Sequence, residues 1–373
     1  MTIRYSDFVN YSKLDPVKRM ALELFEATLI YPERLGIKIL PQTLGETAIG
    51  FDFSGIGDTD FSVVTNVEGL GTKNLIADAM YKETKDAKVY TSPGQDAVAM
   101  SINDLVALGA DPFAYSDMIS CGASTWFDDL ERTRELLMGY RIAADTAKIA
   151  IPQGETPELR GIINPDTLDL NGASIGLVRP KSRLVMEEKI SENDVIYGLA
   201  SSGIHANGLS KARKIAEKLH DGFFTKLQNG KTLGEELLTP TRIYARAIIE
   251  IFEDGVDVHY LQPITGHGWE KIARAKSSFT YRIENVPEPP LIFQQLIDYG
   301  KHYGFDVSNR ENYHVWNMGV GYIIIAPSVS GNHIAMITKK HGIETYELGK
   351  VEKGPRQVIM PFEENGKPVI YEP

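Results

Sequence analysis

A single cysteine, Cys121, occurs among the 373 residues. No intrachain disulfide is therefore available, and this usage fits a reducing compartment. Cys121 itself reads as a small buried residue. Long apolar runs are also missing. No stretch approaches the roughly 18 apolar residues of a membrane helix. The start "MTIRYSDFVNYSKLD" lacks the apolar core of a signal peptide, so the expectation is a soluble, cytoplasmic protein with no membrane partner. Positive charge is in deficit. Against 50 Asp and Glu stand 39 Lys and Arg, a formal charge of −11, which argues against a nucleic-acid backbone as partner. The eight histidines are scattered and form no zinc pattern. There is no G-x-G-x-x-G after a strand, no G-x-S-x-G elbow, no low-complexity tract and no internal repeat.

What is present is an ordinary globular balance, 43% hydrophobic and 24% charged, in a chain long enough for two cores. Helical and strand patterns alternate, so the fold class is α/β (α+β). "DPVKRMALELFEATL" (15–29) reads as a helix with Asp15 as N-cap and Pro16 in its first position. "FSVVTNV" (61–67) reads as a strand, "GQDAVAMSINDLVALGADP" (94–112) as a helix closed by Gly109 and Pro112, and "AYSDMIS" (114–120) as a strand. A helix over 127–148, a loop "IPQGETPELRG" (151–161) and a strand "GASIGLVRP" (172–180) follow. The charged stretch "RPKSRLVMEEKISEND" (179–194) marks a boundary, giving domains 1–180 and 181–373. Beyond it come a strand "VIYGLA" (195–200), a helix in "PTRIYARAIIEIFED" (240–254), a Gly-rich turn "ITGHGWEKIARA" (264–275) and a buried strand "VGYIIIAP" (320–327).

Four stretches carry candidate chemistry. "SSGIHANGLSKARKI" (201–215) lies on a strand-to-helix turn, because Leu209, Ala212, Ile215, Ala216 and Leu219 share one helical face after it. Such a turn offers backbone N–H groups and the positive end of a helix dipole to an anion. His205 within it is either a loop residue or a phosphate partner and proton donor. The helix at 94–112 is apolar around most of its circumference yet carries Asp96, Asn103 and Asp104. These either cap and pair locally or form an oxygen-rich magnesium site. "EGLGTK" (68–73) sets Glu68, Gly69, Gly71, Thr72 and Lys73 on one turn after a strand, open to a phosphate or merely solvated. Glu155 in "QGET" (153–156) and the strand-borne Asp117 are further candidate metal ligands. His267 in "TGHG" reads as a turn residue.

In this order these stretches, with "LLTPTRIY" (237–244), "ITGHG" and "NMGVG" (317–321), resemble the phosphoribosylformylglycinamidine cyclo-ligases, or aminoimidazole ribonucleotide synthetases. The resemblance implies a two-domain fold whose N-terminal mixed sheets pair into a dimer barrel, followed by a C-terminal α/β domain. It implies a homodimer that binds ATP in a cleft near the shared sheet. It also implies the activity: ATP activates the amide oxygen of a formylglycinamidine ribonucleotide, an amidine nitrogen closes the imidazole ring, and phosphate leaves, as a step of purine biosynthesis. By motif, Asn103 and Asp104 would hold Mg²⁺–ATP, with Glu68, Asp96, Asp117 and Glu155 as further ligands. Lys73, with Gly69, Gly71 and Thr72, would meet phosphate. His205 would stabilise or protonate the transferring group, with Ser202, Gly203, Asn207 and Gly208 cradling phosphate. Thr265, Gly266 and Asn317 would line the second-domain side. Glu68 stands where the family has aspartate, "QGET" replaces "GGET", and "TLGETAIGFDFSG" (43–55) replaces a glycine-rich loop. The alternatives are another ATP-using enzyme of the same architecture, of the selenophosphate synthetase or thiamine-phosphate kinase kind, and a nucleotide-binding homologue without turnover.

Overall fold

A computed structural model describes residues 11–45 and 48–372. The chain start and two residues of "TLGETAIGFDFSG" therefore lie outside the described residues. The described residues form two compact units, those up to 105 with 111–181, and 106–110 with those from 182 onward.

In the first unit, α1 (Tyr11–Phe25) precedes a short antiparallel ladder of β1 (Lys38–Ile39) and β2 (Phe51–Asp52). Then come β3 (Ser62–Gly69), α2 (Asn74–Thr84), α3 (Thr91–Val106), β4 (Asp111–Cys121), α4 (Leu130–Ala147), β5 (Ala150–Glu155) and β6 (Leu168–Val178). The sheet order is β3-β6-β4-β5, parallel between β4 and β5 and antiparallel elsewhere. Along β3 exposure alternates, so Val63, Thr65 and Val67 face outward while Asn66 and Glu68 face the other way. Helix α3 covers the latter face. Its Ser101 hydroxyl lies 2.9 Å from Asn66 Oδ1 and 2.7 Å from the Ser174 hydroxyl, and Tyr115 donates to the Ala97 carbonyl at 3.2 Å.

Several expectations are revised here. The first helix begins before Asp15 and holds Pro16 inside it. The helix expected to reach residue 112 stops at Val106, and Pro112 lies in β4 instead. "IPQGE", expected as a loop, forms β5 and puts Glu155 at a strand end. The barrel is not formed. The order leaves β3 and β5 as open edges, and four strands without a ladder between first and last do not close.

In the second unit, β7 (Val195–Ala200), α5 (Leu209–Ala216), α6 (Leu233–Leu237), α7 (Ala245–Glu253), β8 (Tyr260–Pro263) and β9 (Phe279–Ile283) lead to α8 (Leu291–His302), α9 (Asn309–Val315) and β10 (Val320–Ala326). Helix α10 (Gly331–Lys340), β11 (Thr345–Lys353), β12 (Gln357–Glu364) and β13 (Lys367–Tyr371) complete it. Its seven-stranded sheet runs β13-β12-β9-β11-β7-β10-β8, parallel only between β12 and β9. Neither does this sheet close. The all-buried "VGYIIIA" of β10 sits between β7 and β8, which suits a strand covered on both faces. The charged "RPKSR" joint is tied to residues 106–110: Val185 N–H donates to Leu108 O at 3.1 Å, and Arg183 Nε to Gly109 O at 2.8 Å. Among the described residues no helix is long and apolar enough to cross a membrane.

Candidate functional site

Strand register collects the acidic candidates of the first unit. Glu68 of β3 and Asp117 of β4 are both the partners of Gly172 of β6, and Asp117 in turn faces Gly154 of β5. One rung therefore reads Glu68, Gly172, Asp117, Gly154, with Glu155 one residue along. Gly154 is needed here, because a Cβ would fall 2.2 Å from Asp117 Oδ1. Asp117 is buried, and burial pushes its carboxyl up to about 7, with the charge of Glu155 adding to the shift. Burial also pushes Glu155 upward, but the Thr156 amide and Lys18 of α1 outweigh it and leave its carboxyl below the usual value. Lys18 Nζ lies 3.0 Å from Glu155 Oε1. A cavity of about 220 Å³ opens beside Asp117, walled mainly by apolar side chains of α1, β4 and β5.

Lys73 and Asp96 behave differently from the expectation. Both are 0% exposed and form an ion pair with each other. Burial lowers the Lys73 pKa, with the Asp96 carboxylate opposing that shift. Lys73 thus points into the core, and Asp96 faces it. Asn103 is also buried, while Asp104 is half-buried. Gly69 and Gly71 are exposed and Thr72 half-buried at the start of α2, which has no side-chain cap. Asn74 anchors that start to β6, donating to Leu168 O and to Thr167 Oγ1. Among the described residues no three His, Cys, Asp or Glu side chains converge as a ready metal cluster. The acids are aligned without being gathered. Oxygen donors of this kind suit Mg²⁺; Glu68 and Asp117 share one rung, Glu155 lies opposite Met118, and Asp96 is turned to Lys73.

In the second unit the turn after β7 is built as expected, with Leu209, Ala212, Ile215 and Ala216 of α5 buried. Gly208, at φ 70°, starts that helix, and a Cβ there would meet the Trp316 ring at 2.3 Å. His205 adopts φ 62° and is 4% exposed. Its Nε2 accepts the Ser202 N–H at 3.2 Å, and its ring lies against Tyr244. Asn317 staples the turn. Its Nδ2 donates to Gly203 O at 2.9 Å and Ile204 O at 3.2 Å, and its Oδ1 accepts the Gly319 N–H at 2.9 Å. Ser202 Oγ donates to Pro240 O at 2.6 Å, tying the turn to "LLTPTRIY". Thr265 accepts from Lys271, and Gly266 lies beside Asn207. Ser202, Asn207, Gly208, Thr265 and Gly266 keep accessible surface, whereas Gly203, His205 and Asn317 do not. Sequence reasoning missed Lys18, Gly172, Tyr244 and Lys271. The tyrosine could have been found from its place in "LLTPTRIY"; the others carry no local signal.

Comparison with known proteins places this geometry. Residues 51–178 match the N-terminal domain of AIR synthase related proteins, and residues 191–360 match the C-terminal domain. The chain is 33% identical over 306 residues to a phosphoribosylformylglycinamidine cyclo-ligase of Methanocaldococcus jannaschii, covering 81% of this chain and 82% of that protein. It is 37% identical over 302 residues to that of Methanothermobacter thermautotrophicus, covering 78% and 80%. Among solved structures it resembles hydrogenase maturation protein HypE in complex with ATP, with TM-score 0.60 and 18% identity over 95% of this chain and 93% of that one. It also resembles thiamine-monophosphate kinase from Stenotrophomonas maltophilia, with TM-score 0.58 and 15% identity over 96% and 97%. These last two show a shared fold. The sequence matches go further: the chain belongs to the AIR synthase related family of ATP-using enzymes, together with the cyclo-ligases.

Proposed function

We propose that this protein is the ATP-dependent cyclo-ligase that converts formylglycinamidine ribonucleotide to aminoimidazole ribonucleotide, in the cytoplasm, as a step of purine biosynthesis. The observation that carries the reading is identity of 33–37% to cyclo-ligases across more than three quarters of both chains. The retained turn at 201–208 supports it.

The chemistry asks little covalent work of the protein, since phosphoryl transfer depends on positioning and charge stabilisation. The half-exposed Asn207 and Gly208 present backbone N–H groups to phosphate at the start of α5, while the Ser202 N–H is taken by His205. His205 and Asn317 hold that turn in shape from behind. Thr265 and Gly266 border the same turn through Asn207. Gly69, Gly71 and Thr72 offer a second phosphate-binding turn, and the Lys73–Asp96 pair fixes its base. Magnesium, when bound by Asn103 and Asp104 with Glu68, Asp117 and Glu155 as further ligands, would neutralise the phosphate charge. The outward face of the first sheet, with Val67 at 72% exposure, supports a homodimer.

The test is incubation of the purified protein with ATP, Mg²⁺ and formylglycinamidine ribonucleotide, followed by chromatography. Aminoimidazole ribonucleotide, ADP and phosphate in equal amounts are expected. ATP turnover with another acceptor, or ATP binding without any product, would overturn the assignment.

A further inference from the structure

A second cavity of the first unit, of about 450 Å³, uses none of the residues above. Lys82 and Lys85 at the end of α2 and Arg132 in the first turn of α4 line it, together with Tyr81, Tyr90 and Trp126. The guanidinium of Arg132 lies over the Trp126 ring at 4.0 Å, with Tyr81 at 5.3 Å and Tyr90 at 5.7 Å. Lys85, at φ 57°, places its Nζ 5.4 Å from the centre of the Tyr81 ring. Aromatic faces, rather than carboxylates, hold Lys85 and Arg132.

Nearby acids are engaged elsewhere. Asp78 accepts the hydroxyls of Tyr90 at 2.6 Å and Thr167 at 2.5 Å, and burial pushes its carboxyl upward. Asp129 caps α4 and accepts the Tyr81 hydroxyl. Asp166 sits exposed at the rim. Among the described residues, none of the three cations has a carboxylate within ion-pair distance. Arg132 gives one N–H to the Trp126 carbonyl, while its buried Nε has no acceptor. In a chain of charge −11, three cations left without carboxylates around one concavity form a local anion site.

We propose that this cavity binds a phosphate monoester, with its phosphate between Lys82, Lys85 and Arg132 and its organic part against the aromatic rings. Lysine supplies point charges and arginine a planar fork, the pairing that phosphate recognition uses. The volume suits a ligand of nucleotide size or smaller.

The probes are inorganic phosphate and AMP, titrated into the full-length protein at constant ionic strength. The readout is the indole N–H resonance of Trp126, assigned with Trp126→Phe, which reports on this cavity whatever AMP does elsewhere. A saturable shift is expected with both, tighter for AMP. The double variant Lys82→Glu, Lys85→Glu changes two exposed side chains and is expected to stay folded by circular dichroism. It should bind AMP at least about tenfold more weakly, the scale of one lost charge-assisted contact. No saturable shift, an equal response to chloride, equal affinity for phosphate and AMP, or unchanged affinity in the variant would each overturn the proposal.

Discussion

At the scale of single residues, the buried pair Lys73–Asp96 and the carboxyl of Asp117 make opposite demands on the fold. Removing one member of a fully buried pair strands the other charge, which costs roughly 3–5 kcal/mol. Lys73→Met should therefore lower stability by that amount in denaturant titration, and Lys73→Met with Asp96→Asn should restore much of it. A Lys73→Met protein as stable as wild type would show that the pair does not anchor the turn. Asp117 is the reverse case. Its pKa is raised to about 7 in the folded protein, so the fold binds its proton more tightly than the unfolded chain does. Its contribution is fully present below the ordinary carboxyl pKa and is lost as pH rises through about 7. In metal-free buffer Asp117→Asn should stabilise the protein by about 1–4 kcal/mol at pH 8 and by progressively less towards pH 4. Equal effects at both pH values, by thermal melts, would remove the burial argument. For metal binding, Asp104→Asn should weaken Mg²⁺-dependent ATP binding in calorimetric titration while the fold stays intact. An unchanged magnesium requirement would take Asp104 out of the site.

At the scale of elements, the turn between β7 and α5 depends on side chains from distant segments. Asn317 makes two hydrogen bonds to it and a third to its own Gly319, and the Ser202 amide bonds to His205 Nε2. That bond gives the ring a part in holding the turn. His205→Asn retains a residue type that tolerates positive φ. It should slow turnover by roughly tenfold or less, well short of the 10²–10⁴ range of a general acid. A loss in that larger range, with the variant folded and still binding ATP, would return His205 to proton transfer. The same elements show what a sequence reveals. β7 and the buried stripe of α5 were legible because both patterns are local: "VIYGLA" is one apolar run, and Leu209, Ala212 and Ile215 keep helical spacing. β5 was illegible because Pro152 and Gly154 mark a loop, and only its parallel pairing with β4 makes it a strand. The end of α3 was misplaced because Gly109 and Pro112 read as stop signals, while the helix had already ended at Val106. Lys73 read as a phosphate-binding or solvated charge because its partner Asp96 lies on α3, beyond the intervening α2, a contact no short window of sequence contains.

At the scale of the whole molecule, the first sheet has two faces with different duties. One carries Glu68 and Asp117 on a single rung under α3 and α1. The other carries Val63, Val67 and Met118 at 45%, 72% and 41% exposure. Register joins these through β6, because Val67 is opposite Ala173 and Met118 opposite Asn171. These exposed apolar side chains motivate a test of self-association. We expect a homodimer at micromolar concentration in sedimentation velocity. Val63→Lys with Val67→Lys puts two like charges from each copy against their counterparts and should shift the protein to monomer, with circular dichroism unchanged. The strands that carry the acids would then lose their cover on one side, so ATP binding should weaken in the monomer as well. A wild-type protein that sediments as a monomer at every concentration tested would leave this face without a partner; a monomeric variant with undiminished ATP affinity would separate association from the site.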